Sequence, residues 1–181
     1  PEALLQEARH LHVASYFLQT GLQLDLPDLF RRARSFGLTT SLDTNYDPSE
    51  SWVGFDELLS VTNVFLPNEK EARSLSGEEK IDAAADILGR KVETLPIKLG
   101  SKGALGVRNS EKVQVTSIAV NLIDTVGAGD SFDAGFLYGY LNGWSLEKSL
   151  QLGCVCGGLS TQRAGGTDGQ PTLDEALTFL R

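Results

Sequence analysis

The sequence predicts an α/β fold with a mostly parallel sheet covered on both faces, and three observations carry that prediction. Short apolar runs alternate with stretches whose apolar residues recur at helical spacing, the order that parallel strands joined by crossover helices produce. Several runs, such as VTNVFL over 61–66, are nearly all apolar, as strands buried on two faces must be. Polar and Gly-rich clusters follow these runs, at the strand ends where open parallel sheets bind ligands.

Each element follows from its residues. A helical stretch over 3–9 leads into a first strand over 10–14, where His10 and His12 share one face as packing or surface residues. Leu26, Leu29 and Phe30 mark a short helix within 25–33, and residues 38–42 form a second strand ending at Asp43. Residues 61–66 form a third strand, after which a helix opens over 67–73. Ser76 and Glu79 make a capping box for an amphipathic helix over 76–88, with Ile81, Ala84, Ala85 and Leu88 inward. Residues 92–99 form a fourth strand, which Pro96 assigns to an edge or an irregularity. A turn over 100–103 precedes a hairpin, with strands over 104–108 and 112–115. Two long apolar helices cover 131–141 and 146–159, and Pro171-Thr172 starts a last helix bearing Leu173, Ala176, Leu177 and Leu180. Trp52 and Trp144 have no polar constellation around them and are assigned to packing.

Composition narrows the function. The chain has 181 residues, 41% of them apolar and 22% charged, enough for one domain or one large lobe with a core. A net charge of -8 with only 16 Lys and Arg argues against a nucleic-acid surface, yet leaves room for a phosphorylated small molecule held by backbone N–H groups. No apolar run reaches membrane-spanning length, and no secretion signal opens the chain. Cys154 and Cys156 lack the CxxC spacing of a redox pair and have no His cluster nearby, so they read as buried free thiols of a cytoplasmic protein.

The most specific segment is LIDTVGAGDSFDAGF over 122–136. Gly127, Ala128 and Gly129 have little or no side chain, so their N–H groups can approach an anion closely. If a helix begins at Asp130, its unpaired first-turn N–H groups and its dipole favour negative charge in the same space. Such a loop can hold charge that develops on a transferring phosphoryl group. A carboxylate there repels a static phosphate but makes sense beside an alcohol, whose proton Asp130 could take as the oxygen attacks phosphorus. Spacing alone leaves a second reading open, in which Asp130 merely caps the helix. Gly153, Gly157 and Gly158 each cost about 1 kcal/mol in a plain helix, so something comes close to residues 146–159.

DTVGAGD over 124–130 resembles the C-terminal signature of the ribokinase-like carbohydrate kinases, the PfkB family. NEKE over 68–71 is similar to the family's Asn-x-x-Glu element, and KLGSKG over 98–103 to its nucleotide-phosphate loop. DTN over 43–45 resembles its Asp-Pro-Asn element with Thr44 in place of Pro, and GGTDGQP falls at 165–171, where the family closes its adenine and cation region. The resemblance implies a three-layer α/β/α fold and ATP-dependent phosphorylation of a hydroxyl group on a sugar or sugar derivative. It implies Asp130 as the base, and the Gly127, Ala128, Gly129 and Asp130 backbone as the anion hole. Asn68 and Glu71 would act on Mg2+ largely through water, and Gly100, Ser101, Lys102 and Gly103 would hold the nucleotide phosphates. Gly157 would lie against adenine, where the residues alone suggest tight helix–sheet packing. Asp124 with residues 161–169 would frame a K+ site, or cap its own turn.

The family's N-terminal sugar-binding part has no counterpart before His10, so residues 1–181 are expected to be the C-terminal, nucleotide-binding portion of such a kinase, truncated at the N-terminus. Such a truncation exposes a sheet edge that favours self-association. It also leaves an alternative, a nucleotide-binding or structural lobe without catalysis. The run SFDAGF over 131–136 favours a sugar or sugar acid over a nucleoside as acceptor.

Overall fold

A computed structural model describes residues 2–45, 47, 50, 52 and 55–180. They form two compact units, Pro1–Pro96 with Arg108–Ser110, and Ile97–Val107 with Glu111–Arg181. The first contains α1 (Glu2–Glu7), β1 (His10–Val13), α2 (Leu26–Ser35), β2 (Thr39–Leu42), α3 (Phe55–Ser60), β3 (Val64–Phe65), α4 (Glu69–Ser76), α5 (Ile81–Leu88) and the start of β4 (Thr94–Lys98). Its strands lie in the order β1-β2-β3-β4. They are parallel, with His10 opposite Thr39, Ser41 opposite Val64 and Val64 opposite Thr94. One face of α2 buries Leu26, Phe30 and Ala33, spaced four and three residues apart as a helical stripe requires. Phe30, Phe65, Leu42, Leu58, Leu59 and Leu66 are fully buried in this unit, and each contributes about 1.5–3 kcal/mol by leaving water.

The second unit holds the end of β4, β5 (Ala104–Arg108), β6 (Glu111–Val115), α6 (Ala128–Leu141), α7 (Leu146–Ser160) and α8 (Leu173–Leu177). Asn109 and Ser110, with φ of 50° and 69°, make the two-residue turn that reverses β5 into β6. Gly135 and Gly139 of α6 and Gly153 of α7 are explained by the packing of the two helices. A Cβ on Gly153 would lie 2.9 Å from the Phe132 ring, one on Gly135 2.8 Å from Cys156 Sγ, and one on Gly139 2.7 Å from Ser149 Oγ. The close approach expected at 146–159 is therefore helix on helix at Gly153, while a Cβ on Gly158 would lie 2.9 Å from the Ile118 side chain.

Four expectations are corrected. The helix expected over 76–88 is two helices: Gly77, at φ 73°, ends α4, and α5 starts only at Ile81 after an uncapped Lys80. Ser76 is the last residue of α4, and the capping box lies at Asn68 and Glu71. Pro96 sits within β4, between β3 and β5 in the strand order and buried, not at an edge. The two-residue β3 explains this, because its pairing ends with Val64 opposite Thr94, before the ladder needs an N–H from residue 96. The third strand is correspondingly short, Val64–Phe65 rather than 61–66. Finally, α6 begins at Ala128, so Asp130 is its third residue and not its cap.

Candidate active site

Residues 122–127 bring the chain to α6 under tight backbone control. The N–H groups of Ile123 and Asp124 both donate to the Thr161 carbonyl, at 2.9 and 3.1 Å. Asp124 Oδ1 accepts from Val126 N and Oδ2 from Gly165 N, both at 3.0 Å. These backbone donors hold the Asp124 carboxyl below the usual carboxylate range. Gly127 then adopts φ 73°, and a Cβ on it would lie 2.5 Å from the Gly166 carbonyl oxygen, so both conformation and space demand glycine.

This entry leaves the start of α6 open. Gly127 occupies the cap position and offers no side-chain acceptor. Among the described residues, the N–H groups of Gly129 and Asp130 find no acceptor, and the exposed Asp130 carboxylate accepts no hydrogen bond. The reading of Asp130 as a simple cap fails on this geometry. Ser131 Oγ, buried in the same turn, also has no partner among the described residues.

Beside this turn lies a pair that sequence reasoning missed. Lys98 Nζ stands 3.1 and 3.2 Å from the two oxygens of Asp133, with the side chains 12% and 3% exposed. A Cβ on Gly129 would be 3.7 Å from Lys98 Nζ. Lys98 and Asp133 are 35 positions apart, yet one signal was available: an Asp inside the apolar run SFDAGF needs a cation once buried.

A cavity of about 710 Å3 opens in the second unit, within the usual range of small-molecule sites. Its lining includes Lys98, Gly100, Ser101, Ala128 and Gly129 together with the apolar side chains of Ile118, Val120, Phe132 and Cys154 and the helix glycines Gly157 and Gly158. The structure thus gathers most of the residues singled out at 100–103, 127–129 and 157 around one space. Lys102 is exposed in the 3-10 turn Gly100–Lys102 and is not among the lining residues, whereas Gly103 is. A Cβ on Gly103 would lie 1.9 Å from the Val115 carbonyl oxygen, so the loop is pinned against β6. Burial pushes the Cys154 thiol up to about 12 and that of Cys156 to about 11, as inert packing thiols require. Trp144 packs edge-on against Tyr138, with Lys148 Nζ 3.9 Å from its ring centroid.

In the first unit, Asn68 and Glu71 close on each other. Asn68 Oδ1 accepts from Glu71 N at 2.9 Å, while Glu71 Oε2 accepts from Asn68 N at 2.9 Å and from Thr44 Oγ1 at 3.3 Å. Glu71 Oε1 accepts from Asn68 Nδ2 at 2.6 Å, and Glu71 is only 3% exposed. Before this box, Asp43 Oδ1 accepts from Asn45 N at 3.1 Å, an Asx turn that places Asn45 at φ 55°. His10 and His12 each hydrogen-bond Ser41 Oγ at 2.7 Å, and burial next to His12 lowers His10 to about 4. Both histidines pack on one strand face, as expected. Trp52 meets the Phe17 ring edge-on at 5.2 Å. No group of three or more His, Cys, Asp or Glu among the described residues is arranged to hold a metal directly.

The glycine-pinned loop over 100–103 and the uncapped start of α6 both contribute to the lining of this cavity. The chain belongs to the pfkB family of carbohydrate kinases, whose profile matches residues 1–173. It is 32% identical over 162 residues to an uncharacterised sugar kinase of Archaeoglobus fulgidus, covering 89% of this chain and 64% of that one. It is 31% identical to a 2-dehydro-3-deoxygluconokinase of Bacillus subtilis, over 99% of this chain and 59% of the relative. An E. coli protein of the ribokinase II type, solved with ATP and Mg2+, superposes with a TM-score of 0.87 at 26% identity, over 99% of this chain and 60% of that one. The chain thus spans less than two thirds of the length of these relatives. The likeness extends to the fold, a three-layer α/β/α type with a mostly parallel sheet. No helix among the described residues is long and apolar enough to cross a membrane.

Proposed function

We propose that the chain carries out ATP-dependent phosphorylation of a hydroxyl group on a sugar or sugar acid. The observation that supports this best is the open first turn of α6, with the unmatched N–H groups of Gly129 and Asp130 and an exposed carboxylate, beginning at a cavity that Ala128 and Gly129 line. Asp130 orients the acceptor hydroxyl and takes its proton as the oxygen attacks the terminal phosphorus and the bond from that phosphorus to the bridging oxygen breaks, with ADP as leaving group. The Gly127–Asp130 backbone receives the charge that grows on the transferred group and needs no reorganisation to do so. Gly100, Ser101 and Gly103 hold the phosphates through their backbone, with Lys102 reaching them from the exposed side of the turn. The apolar part of the cavity, floored by Gly157, takes the base.

The residues fit the ions that such a reaction uses. Magnesium, when bound, would supply neutralisation of the charge on the nucleotide phosphates. Asn68 and Glu71 would act on it through water, because both Glu71 oxygens already accept hydrogen bonds from this chain. Asp124, with the carbonyl oxygens of the 161–169 loop it is tied to, offers the hard donors a potassium ion takes. We assign the protein to the reducing cytoplasm, on the strength of its two unpaired thiols. A second copy is the partner that the outer edge of β1, first in the strand order, would accept.

A second reading is nucleotide binding without transfer, which the cavity of the second unit would equally serve. One experiment separates the two. The chain is titrated calorimetrically with Mg-ATP and screened for ATP consumption over sugars, sugar acids and nucleosides. Acceptor-dependent turnover supports the kinase, binding without turnover supports the second reading, and absence of binding contradicts both.

A further inference from the structure

The proposed chemistry leaves Lys98 and Asp133 without a task. Their side chains are almost wholly buried, at 12% and 3% exposure, and an ion pair buried that deeply seldom stabilises more than two well-packed apolar residues would. The pair is also placed where charge has a use. Lys98 lines the cavity together with Gly100, Ser101 and Gly129. Its Nζ is the only atom among the described residues within 4 Å of a Cβ built on Gly129, at 3.7 Å, apart from that residue's own helix backbone and chain neighbours.

We propose that Lys98 donates a hydrogen bond to the terminal phosphate of the nucleotide bound in this cavity, and that Asp133 positions it; the assignment rests on the nucleotide reading above. An ammonium has three N–H donors, and the Asp133 carboxylate at 3.1 and 3.2 Å holds the nitrogen in place. Asp133 removes the rotamer freedom that a long lysine side chain would otherwise lose on binding. The cation then adds to the open N–H groups of α6, so a phosphate that grows in charge during transfer meets a fixed positive centre. Lys102, exposed and outside the cavity lining, is the weaker candidate for the same contact.

The test counts phosphates. Wild type, Lys98→Met, Asp133→Asn and the double variant Lys98→Met/Asp133→Asn are titrated with ATP, ADP and adenosine, with thermal unfolding as a check on folding. For Lys98→Met, ATP affinity is expected to fall about 10- to 100-fold, ADP affinity less, and adenosine affinity not at all. Asp133→Asn should follow the same gradient with smaller losses. Should the single Lys98 variant fail to fold because Asp133 is left unpaired, the double variant, which buries no orphan charge, carries the same criteria. ATP affinity within twofold of wild type, or equal losses for all three ligands, overturns the assignment and leaves the nucleotide reading standing. A wild type that binds none of the three overturns both.

Discussion

Two helices of this chain start after a loop and use opposite means to deal with their free N–H groups. At α4, Asn68 and Glu71 exchange hydrogen bonds with each other's backbone, and Thr44 occupies a further site on the Glu71 carboxylate. At α6, the cap position is a glycine, the first-turn N–H groups of Gly129 and Asp130 stay open among the described residues, and the nearest carboxylate turns outward. A closed start stabilises its helix by about 1 kcal/mol or so. An open one forgoes that stabilisation and keeps its donors and dipole for something else. The difference separates two similar-looking acidic motifs: one helix start is closed on itself, and the other keeps its donors open, as the proposed chemistry requires.

The comparison can be broken at α6 first. Gly127→Ala forces a β-carbon into a left-handed conformation and against Gly166 O at 2.5 Å. It should cost about 2–4 kcal/mol in urea unfolding and abolish nucleotide binding by displacing the turn. Opening α4 should do much less. Asn68→Ala should lower stability by about 1 kcal/mol, while Asn68→Ser, which keeps a capping oxygen, should recover much of the loss.

The smallest effect lies in the tether of α6. The folded carboxyl of Asp124 is held below its ordinary value of 3.8 by backbone donors from Val126 and Gly165. A depressed pKa contributes stability that is full above the unfolded value and is lost as pH falls through the folded one. Asp124→Asn should therefore melt below wild type at neutral pH, and the gap should close as pH drops below 3.8. A gap that stays constant into acid would mean that the carboxylate charge is not what ties this loop.

Local patterns in the sequence predicted much of the fold and of the lining of the candidate site. Helical spacing located α2 through Leu26 and Phe30, and the hairpin came from the turn residues at 109 and 110. Glycine marked both pinned loops, at Gly103 and Gly127. What failed depended on competing local signals. Ser76 and Glu79 match the same capping pattern as Asn68 and Glu71, and only the positive φ of Gly77 decides that the chain breaks between them. Pro96 reads as an edge residue until the shortness of β3 is known, which is a property of the pairing and not of residues 92–99. The Lys98–Asp133 pair was hidden by distance along the chain, and Gly153 by a partner, Phe132, on another helix. A contact between distant segments leaves no period in the sequence.

The central claim is that the open start of α6 performs chemistry through Asp130, and Asp130→Asn tests it most directly. Mg-ATP affinity and acceptor-dependent turnover are measured on wild type and variant, using the acceptor that the screen finds. The account predicts an ATP affinity unchanged or tighter, because a negative charge near the phosphates is removed, with kcat lower by about 100- to 10,000-fold. Turnover retained by the variant would contradict it, and Asp130 would then be only an exposed residue in the first turn of a helix.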